Sequence, residues 1–124
     1  MEKRICEYLI MNEFFNVLSD ETRLRCLTLI CEQKELCVCE IEYALNLPQS
    51  KISRHLNILK LNGLIRKRRC GKWVLYSIHP DLVDFQKSII KFTTTEAHTK
   101  SLFQQDSKQL KVMTNRPKIG ECDV

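Results

Sequence analysis

The chain has 124 residues, room for one compact core of ordinary domain size but not for two. Apolar residues make up 44% and charged residues 28%, a globular balance that excludes both a disordered chain and a miniature held by disulfides alone. No apolar run approaches the ~18–20 residues of a bilayer span, and Glu2 and Glu7 stand where a secretory signal would need an uncharged stretch, so a soluble, cytoplasmic protein with no membrane partner is expected.

The charge is unevenly placed. Lys and Arg number 20 against 15 Asp and Glu, for a net +5. Residues 1–42 hold nine acids and five bases, and residues 81–124 seven bases and six acids. Residues 43–80 hold no acid at all and eight bases: Lys51, Arg54, Lys60, Arg66, Lys67, Arg68, Arg69 and Lys72. A block of this kind suits phosphates, though a solvated basic face is the plainer alternative.

Taken in chain order, apolar residues at helical spacing from Ile5 to Leu18 predict a first helix. Ser19 and Asp20 are suited to cap a second, whose stripe is Leu24, Leu27 and Ile30 and which runs to about Gln33. Residues 35–39 alternate and read as briefly extended before Val38, Ile41 and Leu45 begin a short third helix, which Asn46-Leu47-Pro48 ends. The fourth is expected to begin near Pro48 and run to Asn62, with Gly63 just past its end. Ile52, Leu56 and Leu59 mark its core stripe, while Lys51, Arg54, His55 and Ile58 form a neighbouring stripe that leaves a cationic outer face. Residues 64–69, a Cys70-Gly71 turn and residues 72–78 read as a β-hairpin with a basic tip. Pro80-Asp81 opens a last long helix through Leu82, Phe85, Ile89, Ile90 and Phe92 that fades near His98. Residues 1–100 are thus expected to form one domain, and residues 101–124 a polar, loosely ordered tail. Two helices joined by a tight connection and followed by a basic hairpin make a winged helix-turn-helix, mainly α with a small β-hairpin, whose second helix fits the ~12 Å major groove.

With these elements placed, the chain resembles the ArsR/SmtB family of metal-responsive transcriptional repressors. The resemblance rests on Asp20-Glu21-Thr22-Arg23, on Glu35-Leu36-Cys37-Val38-Cys39-Glu40, on Lys51-Ile52-Ser53-Arg54-His55-Leu56 and on Gly71-Lys72-Trp73-Val74, in that family's order and spacing, across about residues 10–95. It implies a non-enzymatic repressor that is dimeric through its first and last helices, binds two-fold double-stranded operator DNA and dissociates when metal arrives. Cys37-Val38-Cys39 resembles the arsenic and antimony sensing branch, with trivalent arsenic or antimony as inducer and no organic cofactor, and also the thiolate site of cadmium and lead sensors.

Thiolates do select thiophilic ions over Mg²⁺ or Ca²⁺, although a buried Cys is commonly just a small hydrophobe. Side chains at i and i+2 point to nearly opposite sides of an α-helix but share a face in extended chain. If the third helix begins at or before Cys37, joint capture by Cys37 and Cys39 must therefore unwind its first turn. In the arsenic branch a third cysteine often lies three residues after the second, where this chain has Glu42. Cys6, favoured by resemblance to cadmium-type members, Cys31 and Cys26 are the alternatives for a third sulfur, while Cys70 and Cys122 have no partner by spacing. A zinc site of paired histidines on the last helix is not expected, since that region holds only His98.

For DNA, Gln49, Arg54 and His55 are the candidates for base edges. Ser50 and Ser53 share the helix's amino end, and Lys51, Lys60, Arg66, Lys67, Arg69 and Lys72 are candidates for phosphate. Trp73 and Tyr76 read as wing core. Two competing readings remain: a thiol redox sensor or enzyme using the Cys37, Cys39 pair, and a zinc-stabilised interaction module that binds no DNA. Against the first, redox couples usually take Cys-X-X-Cys.

Overall fold

The computed structural model describes the backbone of residues 2–117 and the side chains of residues 10–117. In chain order it comprises α1 (Glu2–Leu18), α2 (Glu21–Gln33), β1 (Leu36–Cys37), α3 (Val38–Leu45), α4 (Gln49–Leu61), β2 (Ile65–Cys70), β3 (Trp73–Ile78), α5 (Asp84–Ala97) and α6 (Ser101–Lys111).

The starts and stops follow local chemistry. Asp20 caps α2, its carboxylate accepting the Arg23 N–H at 3.0 Å. Burial disfavours that carboxylate's charge, but the Arg23 N–H and the nearby cations outweigh it and hold Asp20 below its ordinary pKa. Lys34 at φ 76° ends α2 and Asn46 at φ 53° ends α3. Gly63, at φ 77°, takes the left-handed turn that releases α4 into the wing. The winged helix-turn-helix expected from the sequence is observed.

Phe14, Leu27, Ile30, Ile41, Ile52, Leu56 and Leu59 are each 2% exposed or less and form one cluster around α2. At ~1.5–3 kcal/mol for each large side chain buried, this cluster holds the reading helix α4 against α2 and α3. The wing is a three-stranded antiparallel sheet in the order β1-β3-β2. Leu36 stands opposite Tyr76, and Cys37 opposite Leu75, so the stretch expected to be only briefly extended is the wing's third strand.

One expectation fails at the end of the described chain. Residues 101–111, expected to be loosely ordered, form helix α6, which packs on α2 and α3. Leu110 is fully buried, and the Arg25 guanidinium grips the Asp106 carboxylate through two hydrogen bonds of 2.9 and 2.7 Å.

Candidate thiol site and nucleic-acid interface

Cys37 ends β1 and precedes α3, with φ −86° and ψ 165°; Cys39 is the second residue of the helix. The backbone turns from extended to helical between them, and their sulfurs meet in a disulfide across a Cα separation of 5.4 Å. The unwinding expected for a helix that begins at or before Cys37 is therefore not required, because α3 begins at Val38 and the two sulfurs converge with its first turn intact. Soft sulfur donors aimed at one point fit a thiophilic ion. Among the described residues no three Cys, His, Asp or Glu side chains stand as a ready ligand set.

Glu40 completes the junction. Its carboxylate is 2% exposed, accepts the Cys37 N–H at 3.0 Å and takes the Arg116 Nε at 2.6 Å, so the segment after α6 is tied to the start of α3. Glu35, just before β1, pairs with Arg68 of β2 at 2.6 and 2.8 Å, and the guanidinium holds the Glu35 carboxyl below its ordinary pKa. Glu42 lies one turn after Cys39 and lines with it an open cleft of about 540 Å³ that Tyr43, Leu47 and Met113 also border.

The third-sulfur candidates separate clearly. Cys26 is fully buried in the main core, where burial pushes its thiol up to about 12. Cys31 packs against the same core, and burial raises its thiol too, against a hydrogen bond to Thr94. The side chain of Cys6 and all of Cys122 lie outside the described residues. Cys70, to which spacing assigned nothing, is 2% exposed and shares a small cluster with Cys37 and Leu75, with Cys39 and Trp73 packed against it. A strand register that only the fold reveals brings it there.

On the reading helix, Gln49, Ser50, Lys51 and Arg54 are exposed and Ser53 is half-buried. Pro48 supplies no side-chain cap, and its carbonyl accepts the Lys51 and Ile52 N–H groups, each at 3.1 Å. His55 does not belong to this face. It is 6% exposed, and its Nδ1 lies 3.3 Å from an Arg23 nitrogen and 3.7 Å from Asp20. Burial lowers the His55 pKa below 6.5, with Arg23, Arg54 and Lys51 acting in the same direction and Asp20 against them. Arg23 also donates to the Val17 carbonyl at 2.7 Å, so the Asp20-Glu21-Thr22-Arg23 motif locks α1, α2 and α4 together. On the wing, Arg66, Lys67, Arg69 and Lys72 are exposed, with the Lys72 ammonium 5.0 Å from the centre of the Trp73 ring; Lys60 is half-buried at the end of α4.

Comparison with known proteins places this arrangement. Residues 20–67 match the family described as "Bacterial regulatory protein, arsR family". The "Arsenic resistance transcriptional regulator ArsR2" of Pseudomonas putida is 43% identical over 105 residues, covering 85% of this chain and 90% of that protein. The "Arsenical resistance operon repressor" of Escherichia coli is 43% identical over 83 residues, covering 67% of this chain and 71% of that protein. Among solved structures, reduced HlyU from Vibrio cholerae superposes with a TM-score of 0.65 at 24% identity, over 77% of this chain and 97% of that one, a likeness of fold.

Proposed function

This chain belongs to the arsR family of bacterial regulatory proteins, and from that premise we propose a homodimeric repressor that grips two-fold operator DNA and lets go when trivalent arsenic or antimony binds Cys37 and Cys39. Membership makes it a DNA-binding transcriptional regulator rather than an enzyme. The observation that carries the finer reading is the convergence of two sulfurs at the start of α3, the helix packed directly against the reader α4. In this reading Gln49 and Arg54 meet base edges, and Ser50 and Ser53 lie beside them. Lys51, Lys60, Arg66, Lys67, Arg69 and Lys72 meet phosphate.

Release requires the inducer to bind the off-DNA shape better, with a coupling of about 1–3 kcal/mol typical of such linkage. Two-fold assembly is supported by apolar side chains left uncovered on α1 and α5: Ile10, Met11 and Phe15 on the first, Phe85 and Phe92 on the second. The buried Phe14 of α1 and the exposed Phe85 of α5 meet edge to face at 5.5 Å, which ties the two helices together at that point.

The test is a mobility shift on the duplex upstream of the gene, titrated with arsenite, antimonite, cadmium, lead and zinc. Arsenite or antimonite should release DNA at the lowest concentration, and Cys37→Ser with Cys39→Ser should abolish release. Persistent release in that variant overturns the proposal, and a lead for cadmium or lead reassigns the inducer. A second reading, a thiol redox switch, draws on the Cys37–Cys39 bond itself. It predicts release by mild peroxide and none by arsenite.

A further inference from the structure

We propose that Cys70, on the wing, supplies the third thiolate to an arsenic held by Cys37 and Cys39, so that inducer capture draws the wing inward. The inference rests on the reading of Cys37 and Cys39 as the inducer site and adds the ligand and the motion.

Trivalent arsenic bonds three groups in a pyramid, and in arsenous acid all three are hydroxyls. Two cysteines replace two of them. Helix α3 contains Cys39 and no second cysteine, and one turn on from Cys39 it carries the carboxylate of Glu42. Cys26 and Cys31 belong to the main core, on the other element α2, and are not part of the thiol cluster.

Cys70 is different. It adjoins an exposed turn, with Arg69, Gly71 and Lys72 all open to solvent, yet it is 2% exposed itself. Antiparallel pairing explains why. Cys37 stands opposite Leu75, and Cys70 opposite Trp73 two residues along the same strand, so all four side chains share one face of the sheet. Cys39, the second residue of α3, lies just past the end of β1 and packs against that same cluster. Three sulfurs from β1, α3 and β2 thus surround Leu75.

They do not yet touch one ion. β1 and β2 flank β3, and Cys70 sits two residues along the sheet from Arg68, the β2 residue level with Cys37, so with strands ~4.8 Å apart and a rise of ~3.3 Å per residue the Cys37 and Cys70 backbones are roughly 12 Å apart. Sulfurs on a shared ion, at bonds near the ~2.3 Å known for zinc thiolates, lie only about 4 Å from each other. Closing the triad therefore requires the end of β2 to move in by several ångström. Arg69 and Lys72, which flank that end, travel with it, away from a backbone they would contact on DNA.

The proposal concerns the reduced chain. The Cys37–Cys39 bond, and the sulfur bond that engages Cys70, are first opened by a dithiol reductant, which becomes a disulfide as each bond gains two electrons and two protons. Three S–As bonds then form and three As–O bonds break. Each thiol proton leaves with a hydroxide as water, and no further electrons move.

The experiment is arsenic X-ray absorption on reduced full-length protein loaded with one equivalent of arsenite, alongside Trp73 emission and operator release. Wild type and Cys122→Ser should each show three sulfurs at arsenic. Cys70→Ser should show two sulfurs and one oxygen, hold operator as well as wild type without arsenite, and need at least tenfold more arsenite for half release. Because Trp73 is the chain's only tryptophan and the strand partner of Cys70, its emission should shift on binding in wild type and barely in Cys70→Ser. If serine unsettles the buried position, Cys70→Ala repeats the comparison. Two sulfurs in wild type, or three in Cys70→Ser, would overturn the inference while leaving the proposed function standing. Arsenite that neither binds Cys37 and Cys39 nor releases DNA would overturn both.

Discussion

Replacing Asp106 by Ala removes the partner of a guanidinium that can barely reach water. The Arg25 and Asp106 side chains are 11% and 5% exposed, and their paired hydrogen bonds of 2.9 and 2.7 Å join α2 to α6 across 81 residues of sequence. Arg25 keeps one further acceptor, the Leu45 carbonyl at 3.2 Å, which satisfies one of five donors and none of the charge. Breaking a buried pair from one side costs about 3–5 kcal/mol, a third or more of the ~5–15 kcal/mol that stabilises an ordinary domain. For a chain of this size that is roughly 10–20 °C in Tm. Urea denaturation should show the loss in Asp106→Ala and in Arg25→Ala, while Arg25→Met with Asp106→Leu, which leaves no orphaned charge, should recover most of it. The reasoning is refuted if either single variant loses less than about 1 kcal/mol, or if the cycle's coupling is near zero.

Three further outcomes follow from local structure. His55 has a folded pKa below its unfolded 6.5, so the unfolded chain takes the proton first; stability should be complete above that pH and fall as pH drops through it, and His55→Asn should flatten urea midpoints measured between pH 7.5 and 5.5. Lys51→Ala should lower the slope of log affinity against log salt by about 1 on any duplex, whereas Arg54→Ala should cost about 1–3 kcal/mol on the operator and relax sequence preference, both measured by salt-titrated mobility shifts. Gly63→Ala should cost about 1 kcal/mol in denaturation with DNA affinity unchanged, because an added Cβ meets nothing within 4 Å and only the φ of 77° resists it.

What the sequence made legible was whatever a short window encodes. The stripes of α2 and α4, the Asp20 cap, the turn at Gly63 and the alternation of residues 64–78 each depend on neighbours within a few positions, and each matches the observed element. Helix α6 escaped because its buried face is built partly from a charge: Asp106 reads as solvent-facing until Arg25 is known to stand over it. His55 was assigned to the cationic face by its stripe, but Arg23, 32 residues earlier, receives it in the interior. Spacing gives Cys70 no partner, whereas its inward aim follows from pairing with Trp73 and from the seating of β1 on the far side of β3. In each case the missing knowledge is a contact between residues distant in sequence.

The Cys37–Glu40 junction, a local contact that the distant Arg116 also engages, is the place where sensing and reading can meet, and Glu40 tests whether they do. Its buried carboxylate is the acceptor for the Cys37 N–H, so Glu40→Ala leaves that donor orphaned at a cost of about 1–3 kcal/mol and lets the first turn of α3 fray. Glu40→Gln keeps one oxygen to accept the Cys37 N–H and surrenders both the charge and the second acceptor facing Arg116, which is one-third exposed and able to turn to water. If α3 transmits the state of its first turn to α4, Glu40→Ala should bind operator several-fold more weakly than wild type with no arsenite present, and Glu40→Gln should bind almost normally. Mobility shifts on the two variants, at temperatures where denaturation shows both to be folded, make the comparison. Full operator affinity in Glu40→Ala would mean that the turn can loosen without moving the reader, and that the wing, through Cys70 and the β1–β3 pairing, carries the signal without help from α3.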